Sequence, residues 1–218
     1  MHIKSIIFDF DGLILDTETP DFQVWQAIYR EYGHELPLQS WKSIIGGHGL
    51  ATFNPAQHLA DLTGCALDAG SLRLRQQRQS DAILLAQPVL PGVLRLLDQA
   101  RKAGLKLAIA SSSPHDWVDG HCTRLGIYDR FDRILCAEDV APGRVKPYPD
   151  LYLKALEALG VQAGQAIVFE DSPNGVKAAH AAGIFVVAVP NPVTVLMGVD
   201  GADLVLRSLE EFRLADYL

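Results

Sequence analysis

Cysteine is scarce in this 218-residue chain: Cys65, Cys122 and Cys136 are odd in number, far apart and without a C-x-x-C pair. That usage speaks against a disulfide-stapled miniprotein and against a cysteine-based zinc or redox motif. It fits a reducing compartment, so a cytoplasmic location is expected. The seven histidines show no H-x-H or H-E-x-x-H spacing, and a histidine zinc centre is not expected either. No apolar run approaches the roughly 18 residues of a spanning helix, and the start at Met1 lacks the basic stretch and cleavage site of a signal peptide. Basic residues are in deficit, 19 against 26 acidic for a net charge of −7. Nucleic acid and anionic membrane are therefore not expected partners, and any anionic ligand needs local charge compensation.

What is present reads as an ordinary globular chain, 49% apolar and 21% charged, long enough for one core with a modest insertion. Ile3 to Phe10 is nearly continuously apolar, as suits a strand buried on both faces of a parallel sheet. From about Val89 helical and strand patterns alternate. A helix after Pro91 precedes strand Leu105–Ala110, a helix after Pro114 precedes strand Arg133–Cys136, and a helix after Pro149 precedes strand Ala166–Phe169. A helix through Asn174–Ala182 and strand Phe185–Val189 follow, then a short edge strand at Asp203–Leu206 and a last helix from Leu209. Gly104, Gly126, Gly160 and Gly183 stand where the helices should stop. This alternation predicts an α/β fold with a mostly parallel sheet.

Residues 17–86 break the alternation. Phe22, Trp25, Ile28, Tyr29 and Tyr32 form a helical apolar stripe, Asn54-Pro55 reads as an N-cap followed by proline, and a further helix runs from about Asp68 through Leu85. The expected organisation is an α/β core of residues 1–16 and 87–218 with a helical module, 17–86, inserted after the first strand. Hinges fall near Asp16 and Gln87-Pro88.

In an open parallel sheet, ligands bind beyond the carboxyl ends of the strands. Asp9 and Asp11 close the first strand, Ser111-Ser112-Ser113 the second and Glu170-Asp171-Ser172 the fourth, while Lys146-Pro147 lies in the loop leaving the third. Carboxylates, hydroxyls and an ammonium at one edge suit a hard cation and a phosphate together. Magnesium takes oxygen ligands, here Asp9 and Asp171, and a phosphate dianion among carboxylates needs the metal, Lys146 and donors such as Ser111 to offset its charge. A carboxylate can also attack phosphorus, for which Asp9 is the candidate. The leaving alkoxide needs a proton and the later water must lose one, a task for a second carboxyl close by, Asp11.

Asp9-Phe10-Asp11-Gly12, Ser111, Lys146-Pro147 and Glu170-Asp171-Ser172 resemble, in order and rough spacing, the four motifs of the haloacid dehalogenase-like superfamily. The extensions Gly12–Glu18 and Pro173–Ala179 are similar to the subgroup of beta-phosphoglucomutase and small sugar-phosphate phosphatases. The resemblance implies a Rossmann-like core with an inserted α-helical cap domain. It implies Asp9 as nucleophile and metal ligand, and Asp11 as acid and base that also lends its backbone carbonyl to the metal. Asp171 and Glu170 would complete the Mg2+ ligands, Ser111 and Lys146 would hold the phosphoryl group, Ser112 would contact phosphate, and Asn174 would brace the last motif. The expected partner is a small phosphorylated metabolite, met by a monomer.

Three alternatives remain open. A phosphomutase must hold a second phosphate, yet the lysine, arginine and histidine of beta-phosphoglucomutase-like caps would fall at Ile45, Gly49 and Asp21; Lys42 or Arg78 would have to compensate. Dehalogenation needs no metal and no acid at Asp11. A catalytically silent binding protein of the same fold is the third. His48 and His115 are candidate substrate contacts, Cys136 reads as a buried structural thiol, and Trp25 and Trp41 read as core that could also shape specificity.

Overall fold

The computed structural model describes residues 2–41, 53–64 and 67–218. Among these, six strands form one parallel sheet. They are β1 (Ser5–Phe8), β2 (Lys106–Ala110), β3 (Arg133–Leu135), β4 (Ala166–Glu170), β5 (Phe185–Ala188) and β6 (Leu204–Val205), in the order β3-β2-β1-β4-β5-β6. Every pairing is parallel, which requires crossovers. α5 (Val93–Lys102), α6 (His115–Arg124), α7 (Asp150–Leu159) and α8 (Pro173–Ala181) supply four of them, and a 3-10 turn, Thr194–Met197, lies in the fifth, from β5 to β6.

Strand alternation sorts the core into two layers. Ile6 and Phe8 pack with Val93, Leu96 and Leu97 of α5 and Val118 and Cys122 of α6. Ile7 faces the other way, onto Leu151, Tyr152 and Ala155 of α7 and Val176 and Ala179 of α8. β1 is buried at all four residues because it has a neighbour on each edge and helices on each face. This is why its sequence is a continuous apolar run rather than an alternating one. The Rossmann-like α/β reading of the sequence is the observed architecture.

The helices between β1 and α5 are α1 (Glu18–Glu31), α2 (Leu38–Trp41), α3 (Pro55–Thr63) and α4 (Ala69–Ala86). Val24, Trp25, Ile28, Tyr29, Trp41, Leu59 and Leu72 form a third apolar cluster among them. Asn54 caps α3 by accepting from the Gln57 N–H at 3.3 Å, ahead of Pro55, and Asp68 caps α4 through Gly70 at 2.9 Å. Tyr32, assigned to the apolar stripe, lies beyond the end of α1 and is exposed. The C-terminal helix expected from Leu209 is instead two 3-10 turns, Leu209–Glu211 and Leu214–Tyr217. Arg95 of α5 donates to the carbonyls of Leu209, Glu210 and Phe212, drawing those oxygens out of any i to i+4 pattern.

Aromatic rings lie directly beneath the carboxyl edge of the sheet. Phe8 stacks on Phe169 at 5.5 Å between centroids, and Phe169 meets Phe212 edge-on at 4.8 Å. Replacing the fully buried Phe169 by alanine opens a cavity under two strand ends, and a loss of about 3–5 kcal/mol is expected in urea unfolding. A loss below about 1 kcal/mol would show that the site does not rest on this stack.

Candidate functional site

Register brings the site together. Phe8 pairs with Ile109 and with Phe169, so the residues one step further, Asp9 and Glu170, stand side by side, and the Asp9 N–H still donates to the Phe169 carbonyl at 2.9 Å. After Phe10 the chain folds back sharply: Gly12 N–H donates to Leu15 O at 2.7 Å and Ile14 N–H to Phe10 O at 2.9 Å. Gly12 has φ +80°, and a β-carbon there would overlap the carboxyl of Asp171 and the amide of Asn191. Bare backbone is required at this point because a buried carboxylate passes over it.

A cavity of about 990 Å³ lies over this edge, lined by Asp9, Asp11, Ser111, Ser112, Lys146, Asp171 and Asn174 at one end. Trp25, Trp41, Arg73, Gln76, Gln77, Ser80 and Asp81 line it from the helical segment. Of the motif residues Asp9, Asp11, Ser111, Ser112, Lys146, Glu170, Asp171 and Asn174, all but Glu170 line the cavity. Glu170 lies just behind it, fully buried and with its acceptor capacity used inward. Its Oε1 accepts from Lys146 Nζ at 2.6 Å and Tyr152 OH at 2.5 Å, and its Oε2 accepts from the N–H groups of Asp171 and Ser172 and the Ser172 hydroxyl. Gly175 is obligatory here too, since any side chain would run into the Glu170 carboxyl.

Lys146 also donates to Asp9 Oδ1 at 2.5 Å, so one buried ammonium joins two carboxylates. Asp171 Oδ2 accepts from Asn191 Nδ2 at 2.8 Å, and the Asn191 carbonyl oxygen is held by the N–H groups of Val193 and Thr194. Asp11 turns elsewhere. Its Oδ2 accepts from the hydroxyls of Ser111 at 3.2 Å and Ser113 at 2.7 Å, and its Oδ1 from the Trp117 indole at 2.8 Å. The Ser112 hydroxyl is buried without a partner.

Asp9, Glu170 and Asp171 offer carboxylate oxygens within 4.8 Å of one another, all buried. One ammonium cannot neutralise three carboxylates. Burial, then the charge of Glu170, pushes Asp9 up to about 7 despite Lys146. Burial, then Asp9 and Glu170, pushes Asp171 well above the usual carboxylate range. Glu18, also on the cavity wall, is raised to about 8 by burial and then by Asp11. Crowded hard oxygen donors with excess negative charge are the donor set of a metal ion, and these residues fit one.

Sequence reasoning did not assign Trp117, Ser113, Asn191 or Tyr152. Ser113 and Asn191 carry a local signal, a polar residue just past a strand end; Trp117 and Tyr152 reach the site from helices and leave none. Arg78, named as a compensating cation, is directed away from the cavity. Positions 73, 76, 77, 80, 81 and 84 of α4 line the cavity, whereas Arg78 shares a surface groove with Ser71, Leu74, Arg75 and Gln79. The helical phase of about 100° per residue puts Arg73 inward instead. His115 is engaged by Asp119 at 3.1 Å and Asp139 at 2.8 Å and does not line the cavity. Cys136 is buried. Lys42, Ile45, His48, Gly49 and Cys65 lie outside the described residues.

Fold and site together define an α/β enzyme-like centre in which buried acidic groups, an ammonium and hydroxyls converge at the β1–β4 crevice. The chain belongs to the haloacid dehalogenase-like hydrolase family, whose model matches residues 6–189. It is 43% identical over 214 residues to YhcW of Bacillus subtilis (strain 168), covering 98% of this chain and 95% of that one. It is 32% identical over 187 residues to the fructose-1-phosphate phosphatase YqaB of Escherichia coli (strain K12), covering 85% and 95%. Among solved structures, a family hydrolase from Deinococcus radiodurans R1 with bound phosphate and sodium superposes with a TM-score of 0.78 at 26% identity, covering 98% and 94%.

The carboxylate crowding has a thermodynamic consequence. With no cation, Asp9 in the folded chain keeps its proton up to about 7, against 3.8 ordinarily. At Asp9 the folded state then holds more protons than the unfolded one, so this group's contribution to stability is full below about pH 4 and is lost, by about 1.4 kcal/mol per pH unit, as pH rises toward 7. A bound divalent cation favours the ionised form and removes that loss. Added magnesium should therefore raise the melting temperature more at about pH 7.5 than at about pH 4.5. An equal shift at both would mean that the trio does not bind it.

Proposed function

We propose that this protein is a magnesium-dependent phosphatase that hydrolyses small phosphorylated metabolites, sugar phosphates above all, through an aspartyl-phosphate on Asp9. The observation that carries the reading is the placement of Asp9: buried at the end of β1, lining the cavity, paired with Lys146 and within the acidic trio. Relatives named as phosphatases of fructose 1-phosphate and of phosphorylated carbohydrates support the substrate class.

In this reading Asp9 attacks phosphorus, the bond from phosphorus to the alcohol oxygen breaks, and Asp11 gives that oxygen a proton. Asp11 then takes a proton from the water that releases phosphate. Lys146, Ser111 and the unpartnered Ser112 hydroxyl face the phosphoryl oxygens, offsetting charge that would otherwise repel Asp9. Asn174, at the start of α8, is assigned to bracing that loop. Asp9 and Asp171, with the Asp11 backbone carbonyl and with Glu170 directly or through water, would hold Mg2+, which supplies Lewis-acid neutralisation of the phosphoryl group. Residues 17–86 act as a cap over the core of 1–16 and 87–218, excluding water and opening for release. The polar cap wall, with Gln76, Gln77, Ser80, Asp21 and Arg73, suits a hydroxylated leaving group. We take the protein to work as a cytoplasmic monomer.

The mutase reading is disfavoured by Asp21. A carboxyl stands on the cavity wall where such a cap would carry a histidine, bonded to Gln76 at 3.0 Å. Magnesium-dependent phosphate release from a panel of phosphorylated sugars is expected. Asp9→Asn should lower it by about 10³-fold or more. Equal inactivity of wild type and Asp9→Asn across the panel would end the enzyme reading. In a coupled assay with beta-glucose 1-phosphate primed by the bisphosphate, glucose 6-phosphate forming faster than free phosphate would replace hydrolysis with mutase activity.

A further inference from the structure

We propose that Trp117 is the positioning residue of Asp11, and that a row of side chains on α6 ties this carboxyl to the link between α4 and the sheet. The proposal rests on the assignment of Asp11 as acid and base. Trp117, His121 and Arg124 stand at i, i+4 and i+7 and so share one face of α6. The Trp117 indole N–H donates to Asp11 Oδ1 at 2.8 Å. Its ring meets the His121 ring edge-on at 4.4 Å, and Phe10, next to Asp11, closes on the same imidazole at 6.3 Å.

His121 Nδ1 accepts from Arg124 Nε at 3.3 Å and lies 3.2 Å from its Nη2. Arg124 Nη1 donates in turn to the carbonyls of Leu85 at 3.2 Å and Gln87 at 2.9 Å. Those two carbonyls mark the point where α4 ends at Ala86 and the chain turns extended. A continuous chain of contacts thus runs from the acid–base carboxyl to the segment on which the helical part is hung.

An indole N–H can only donate. Oδ1 of Asp11 is therefore held as an acceptor, which leaves Oδ2, whose partners are the rotatable hydroxyls of Ser111 and Ser113, as the oxygen free to hand a proton to the leaving oxygen. When that proton passes to the alcohol oxygen, the bond from phosphorus to that oxygen breaks, the phosphoryl group passes to Asp9, and Asp11 is left as carboxylate. Trp117 acts through its bond to Asp11. It fixes which oxygen does the work.

The test separates positioning from packing by the basicity of the leaving group. Trp117→Phe keeps a ring against His121 but loses the donor. A sugar alkoxide leaves only with a proton, whereas para-nitrophenolate leaves without one, and kcat/KM reports steps only as far as loss of the alcohol. For a sugar phosphate turned over by the wild type, Trp117→Phe should lower kcat/KM by about 10–100-fold with KM within about twofold, against less than about threefold for para-nitrophenyl phosphate. Arg124→Ala, which leaves the indole N–H in place but frees His121 and the link, should shift the same ratio by at least about threefold. It carries the test if Trp117→Phe does not fold. Equal losses on both substrates, or no loss on either, overturn the proposal. Full activity of Asp9→Asn would instead overturn the aspartyl-phosphate reading beneath it, a result independent of the ratio.

Discussion

One ammonium among buried carboxylates organises this molecule. Lys146 reaches Asp9 and Glu170 at once, and the space they occupy is set by strands β1 and β4 lying side by side in register. Breaking such an arrangement by removing the cation alone would strand charge in the interior, a costlier state than either the intact group or an apolar replacement. The surrounding structure answers to this: Tyr152 from α7, the N–H groups of Asp171 and Ser172, and the Asn191 amide each satisfy an oxygen that burial would otherwise leave bare. Two glycines keep the backbone close enough for this to happen.

The site divides into two halves with different obligations. Glu170 faces inward and supports Lys146; Asp9 and Asp171 face the cavity. Asp11 is removed from the trio and sits among neutral donors, two hydroxyls and an indole. Two aspartates, two residues apart, thereby meet different partners, one an ammonium within the acidic trio and the other two hydroxyls and an indole. Separation of roles between paired carboxyls follows from such differences in surroundings.

Much of this was legible in the sequence, for physical reasons. Strands buried on both faces announce themselves as apolar runs, and their polar terminators mark the working edge of a parallel sheet, so Asp9, Ser111 and Asp171 could be found without coordinates. Side chains that arrive from a distant helix are not marked in this way: Trp117 and Tyr152 look like ordinary apolar positions of α6 and α7. Arg78 and Arg73 differ only in helical phase, which composition does not reveal. The terminal segment reads as a helix until Arg95, over a hundred residues earlier, captures three of its carbonyls.

The two faces of α4 carry a consequence of a different kind. Arg73, Gln77 and Asp81 look into the cavity yet are absent from the bonds that hold the acidic trio and Lys146 together. Under the proposed assignment, changes there would alter which molecules fit while the acidic trio and Lys146 at the strand ends stay as they are. Selection could then retune such an enzyme toward a new metabolite through one helix, leaving the proposed bond-breaking groups inherited intact.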